Sequence, residues 1–169
     1  PLIISLILLL RSGTAITSEI SAMKCEKEIS HILTLGISPI SYLVAPRIIG
    51  LIVCSVILSI YFSIFYGLIT ALFSFLFYNI PFLETLALLH KHTSGVDLFL
   101  LLLKSVLGGF IISSICCFRA LQCKESITEI PQQNILAVRH SLTLIFLIHG
   151  LILLVESFNS GLLKYLKYA

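Results

Sequence analysis

Three long apolar stretches constrain this chain before any other feature does. They run from about Ile48 to Tyr78, from Leu98 to Phe118 and from about Ala137 to Phe158. A helix needs about 20 apolar residues to cross a bilayer's hydrocarbon core, and each stretch reaches that length. Backbone groups in hydrocarbon must be satisfied internally, so lipid-exposed strands are excluded and the expected fold is all-α. The first stretch is overlong, and it has three ways to absorb the excess: tilting, bending near Gly67, or continuing outside the bilayer.

Composition leads to the same place. The chain is 58% hydrophobic and 11% charged, with a mean hydropathy of +1.09. A soluble domain carries about 25% charged residues and a small one buries only about two-thirds of its surface. Lipid must solvate the apolar surplus, so the chain reads as a polytopic integral membrane protein. The net charge of +3 does not indicate nucleic acid, because the Lys and Arg residues are scattered. Cys25, Cys54, Cys116, Cys117 and Cys123 are odd in number and lack CxxC spacing, which argues against a disulfide framework or a zinc site. They read as small apolar fillers. There is no Walker motif, GxSxG or HExxH, so no catalytic residue, metal or cofactor is expected in this chain.

The segment from Arg11 to Arg47, RSGTAITSEISAMKCEKEISHILTLGISPISYLVAPR, is the one long piece with regularly spaced charge. Ile16, Ile20, Met23, Ile29, Ile32 and Leu33 recur at helical spacing. Lys24 and Glu28 form an i,i+4 pair on that helix. Gly36 is a helix stop, Pro39 suits the first turn of a second short element, and Pro46 opens the next span. Residues 1–11 read as the cytoplasmic end of a helix whose beginning is missing, and 12–46 as a cytoplasmic helix-turn that a partner could push on. With three full spans at 48–78, 98–118 and 137–158, residues 1–169 make a single domain. Placing 12–46 inside also puts Arg119, Lys124 and Arg139 inside and leaves Lys91 alone in the external segment 79–97, as the positive-inside rule favours. Lys164 and Lys167 then fall outside, against that rule.

A few polar residues stand out from the grease. Lys104 lies within the second span, about 10 Å along the helix from Asp97. It is a functional candidate by its depth or a lysine snorkelling outward. His149 is mid-span, and Glu156 lies seven residues on, on the same face. One interhelical hydrogen bond plus an interfacial carboxylate is the plainer reading. His90, His92 and Asp97 offer metal-ligand types, but i,i+2 histidines share no helical face, and a polar turn explains them better. Gly108, Gly109, Ser113 and Ser114 read as a close helix contact. Tyr61, Phe62, Phe65 and Tyr66 line a lipid-sized cavity or face lipid.

At this point the residues resemble a family, the MlaE permeases, membrane subunits of lipid ABC transporters that work with MCE-domain proteins. Arg11, Gly13, Glu19, Met23, Glu28, Gly36, Pro39, Leu43, Pro46 and Arg47 match its pattern at fixed spacing. DLFLLLLKSVLGG, with Asp97, Lys104 and Ser105, is similar to its next-to-last span. The likeness runs from Pro1 to about Val155. It implies three full transmembrane helices plus the end of another, with a coupling helix at Glu19–Leu35 that docks on a cytoplasmic ATPase. Glu19, Lys24 and Glu28 would make the polar contacts, and Ile20 and Met23 the apolar ones. Arg11, Gly13, Gly36, Pro39, Pro46 and Arg47 would be structural. The resemblance further implies a homodimeric core in the bacterial inner membrane, ATP bound by the partner, and phospholipid as cargo. An MCE-domain lipid-binding protein on the periplasmic side and a role in outer membrane lipid asymmetry belong to the same picture. The alternatives are an ion- or proton-coupled transporter using Lys104, His149 and Glu156, and a degenerate structural subunit.

Overall fold

The structure is a computed structural model that describes the backbone of residues 1–78, 81–92, 95–124 and 126–168, with side chains 78, 90, 92, 127 and 158–168 left out. Among the described residues every regular element is helical. Helix α1 (Leu2–Leu8) passes through one wide π-type turn, Leu9–Gly13, into α2 (Thr14–Cys25). Helix α3 (Glu28–Thr34) follows, then a second π-type turn, Ile40–Val44. After it come α4 (Ala45–Tyr78), α5 (Phe82–His92), α6 (Gly95–Leu121) and α7 (Ile130–Tyr168).

Among the described residues four stretches are long and apolar enough to cross a membrane: Leu2–Cys25, Ile40–Phe77, Gly95–Leu121 and Ile130–Ser157. The last three correspond to the expected full spans. The first contains the expected helix end and continues without a break through Arg11, whose side chain is exposed. Helix α4 runs straight through Gly67, so it absorbs its length without a break there. Helix α7 begins seven residues before the apolar stretch does. Pro131 sits in its first turn, where a missing N–H has no intrahelical partner to lose.

The segment between α2 and α4 is punctuated twice. Gly36 adopts φ +77°; its N–H bonds Leu33 O at 3.0 Å and the Ile37 N–H bonds Ile32 O at 3.3 Å. That closes α3 in a Schellman cap, which a left-handed glycine makes without steric cost. The other break was not foreseen. Lys27 has φ 62°, and its N–H bonds Lys24 O at 3.1 Å, ending α2 in the same left-handed manner without a glycine. The expected single helix over Glu19–Leu35 is therefore two helices. Lys24 and Glu28 no longer face each other across one turn.

Helix α6 is the centre of the bundle, packed on α1, α2, α4 and α7. Its approach to α4 is set by Gly109 and Ser55. A methyl on Gly109 would fall 2.5 Å from Ser55 Oγ and 3.1 Å from Ile52 Cα, and one on Gly108 2.5 Å from Ser5 Oγ. Ser55 Oγ also lies 2.9 Å from Ser105 O across the same contact. Small residues bring backbones together where lipid supplies no hydrophobic drive between helices. The glycine pair is thus a packing device, as its sequence pattern suggested. One apolar cluster joins Ile4, Leu8 and Leu9 to Leu51, Ile112 and Ile145. A second, nearer α2 and α3, joins Ile20, Ile29 and Val44 to Cys117 and Ala120. By contrast Tyr61, Ile64, Phe65 and Phe73 on α4 are exposed, a face for lipid or a partner subunit.

Gly109→Ala is expected to destabilise the solubilised protein by about 2 kcal/mol through overpacking. Gly67→Ala, with nothing within 4 Å of the new methyl, should be neutral or slightly stabilising. Thermal unfolding of the two variants tests this, and equal melting temperatures would contradict it.

Candidate functional site

Two groups of polar side chains hold the residues singled out in the sequence, and neither needs a ligand to be explained locally. The first gathers around α2. Glu19 Oε2 pairs with Arg47 Nη2 at 3.1 Å, which ties α2 to the start of α4. Lys24 Nζ donates to the Leu121 carbonyl oxygen, one of the free acceptors at the C-terminal end of α6, where a cation is favoured. Asn134 Nδ2 donates to Ser18 Oγ at 2.8 Å, and Ser18 in turn donates to Thr14 O at 2.8 Å, joining α2 to α7. Beneath these bonds Ile20 is wholly buried in the second apolar cluster. One short helix thus reaches the near ends of α4, α6 and α7.

This arrangement redistributes the residues singled out in the sequence. Ile20 has no surface to offer a partner and holds α2 against α6. Met23 is half-buried and packs on the same cluster. Lys24 is engaged with the end of α6, while the carboxylate of Glu19, though engaged by Arg47, is still 64% exposed. Glu28 is exposed in the first turn of α3. Gly13 is structural: a methyl there would stand 3.1 Å from Cys116 Sγ and 3.3 Å from Ile112 Cγ2. Pro39 precedes the second wide turn and Pro46 lies in the first turn of α4. Arg11 stays exposed, beside that close contact. Cys123, just past α6, is buried, and that burial raises its thiol pKa above the usual range, with the nearby Cys25 adding to the effect. It is accordingly a poor nucleophile.

The second group lies within the spans. Lys104 Nζ meets Glu156 Oε1 at 2.6 Å, joining α6 to α7. The side chains are 11% and 30% exposed, so the pair is largely withdrawn from the surface. His149, seven residues before Glu156 on the same face of α7, is buried; its Nδ1 is 3.0 Å from Ile145 O, and its Nε2 has no partner. The side chains of His90 and His92 lie outside the described residues. Among the described residues no three His, Cys, Asp or Glu side chains gather as metal ligands. An apolar cavity of about 330 Å³ opens between α1, α4 and α6, lined by Ile4, Ser59, Phe62, Tyr66 and Leu101. Two of the four aromatic residues noted in the sequence therefore face it.

The ion pair makes a definite prediction. Removing one partner leaves a charge in apolar surroundings, so Lys104→Met or Glu156→Gln should each cost about 3 kcal/mol. The double variant Lys104→Met/Glu156→Met should recover most of that loss. Unfolding measurements that show additive losses would overturn it.

Comparison with known proteins agrees with this architecture. The sequence profile described as Permease MlaE matches residues 1–155. A probable ABC transporter permease protein of Rickettsia typhi is 28% identical over 155 residues, covering 90% of this chain and 59% of the relative. Its counterparts from Rickettsia prowazekii and Rickettsia conorii are each 27% identical over the same coverage. The chain thus spans about three-fifths of the length of these curated relatives. A profile match of that extent, over a helical bundle whose described residues include four stretches long and apolar enough to cross a membrane, places the chain in the MlaE permease family.

Proposed function

We propose that this chain is the permease subunit through which a separate cytoplasmic ATPase moves phospholipid between the bacterial inner membrane and its periplasmic side. Two copies form the transmembrane core, and an MCE-domain lipid-binding protein receives or delivers the lipid outside. The ATP is bound and hydrolysed by the partner. The observation that carries this reading is the reach of α2, which contacts the ends of α4, α6 and α7 through Arg47, Leu121 and Asn134. A push on the α2–α3 hairpin would reach three spans together. Rigid helices packed through glycine and serine respond by tilting as bodies, since packed interfaces switch between arrangements and do not deform smoothly.

The cavity beside Phe62 and Tyr66 suits an acyl chain, its lining being mainly apolar, with Ser59, Ser63 and the Tyr66 hydroxyl as its polar side chains. Lys104 is paired with Glu156 on the neighbouring helix, so neither of these two charges needs a translocated ion as its partner. That favours lipid transport driven by a motor over ion-coupled transport.

Glu28 is an exposed acidic side chain of the hairpin, in the first turn of α3, and among the described residues it is free of the ion pair that holds Glu19. Glu28→Lys is expected to weaken co-purification of the ATPase and lipid movement together, by roughly tenfold. Full co-purification and full transport by this variant would remove Glu28 from the contact.

A further inference from the structure

We propose that the hydrogen bond between Asn134 and Ser18 is the transmission element that makes α7 follow α2, a positioning role distinct from contact with the ATPase. The inference rests on the transport reading above and concerns how that motion is passed on.

Three features single out this bond. First, it ties α2 directly to α7 through side chains: Asn134 Nδ2 donates at 2.8 Å to a hydroxyl whose own proton is committed to Thr14 O at 2.8 Å. Ser18 therefore accepts from Asn134 in a fixed direction, so the amide is held by an oriented partner. Second, Asn134 Oδ1 is shut off from solvent without a partner, so the side chain has no alternative anchor on that side. A buried amide with one satisfied end depends on that end for its position. Third, the bond lies in the first turns of α7, just after Pro131 and a short 3₁₀ turn at Ile127–Glu129. Force reaching α7 from the connecting loop would pass through those irregular turns. Force reaching it from α2 enters the regular helix directly. The ties to α4 and α6 differ in kind: one is an ion pair with a 64% exposed carboxylate, the other ends on a main-chain oxygen that no substitution removes.

Both residues are half-buried, and Asn134 Nδ2 and Ser18 Oγ are spent on each other and on Thr14 O. Loss of the bond should then leave the motor docked and turning over, while less of its work reaches the lipid. The test uses the complete permease–ATPase complex in vesicles of phosphatidylethanolamine and phosphatidylglycerol, reading labelled phosphatidylethanolamine moved per ATP hydrolysed. Asn134→Leu and Ser18→Ala are each expected to lower that ratio about fivefold with ATPase binding unchanged. The double variant should be no worse than either alone, and the exchange Ser18→Asn/Asn134→Ser should restore most of the ratio. Wild-type ratios in both single variants, or losses that multiply in the double, would overturn the inference while leaving the transport reading standing. Single variants that fail to assemble, with no recovery in the exchange, would make the bond a folding contact and overturn it as well. A wild-type complex that binds its ATPase but moves no lipid would remove the transport reading itself, and this inference with it.

Discussion

Burial of Ile20 under α6 is the interaction on which the rest of the molecule depends. That side chain is completely enclosed by Ile29, Val44, Cys117 and Ala120, so α2 cannot leave the bundle without opening an apolar cavity. Filling that space with one isoleucine contributes on the order of 2–4 kcal/mol. The polar ties of Glu19, Lys24 and Ser18 are each weaker, and they work because the buried side chain has already set the distance and the rotation. Apolar packing supplies the hold, and the hydrogen bonds supply direction.

The two wide turns, Leu9–Gly13 and Ile40–Val44, stand on either side of the α2–α3 hairpin. Such turns weaken the regular hydrogen-bond ladder and recur at functional positions in helices. Between them the hairpin is compact, capped by Gly36 and by the left-handed Lys27. Above it, α6 is pressed against α1 and α4 through glycine and serine with almost no free space. The bundle therefore combines a tightly packed centre with a break in the regular α-helical ladder on either side of the α2–α3 hairpin.

Much of this was legible from residue order. Long apolar stretches dictate helices in hydrocarbon, and Gly36, Pro39 and Pro46 act on their own backbone, so their effects could be read locally. Gly108 and Gly109 signalled close packing because nothing else explains paired glycines in a span. The missed features have non-local causes. Lys27 breaks a helix in a run whose periodicity continues through it, and a lysine carries no turn signal. Lys24 was paired with Glu28 because they are four apart, whereas its real acceptor is 97 residues away. Lys104 and Glu156 were each noted, but 52 residues separate them, and only the packing of α6 on α7 brings them together. Ser18 and Asn134 carried no signal, being ordinary polar residues until the fold aligns them. Ile20 looked like a contact for a partner because an amphipathic pattern shows which residues share a face, not what covers it.

The central claim of the transport reading is that α2 and α7 move as one body while α4 tilts against them. Pulsed electron spin resonance tests this most directly, with one label pair at Ala15 on α2 and Leu142 on α7, and another at Tyr66 on α4 and Leu154 on α7. All four positions are exposed. In the reconstituted complex, ATP binding should leave the first distance unchanged and shift the second. A first distance that changes while the second stays fixed would contradict the account.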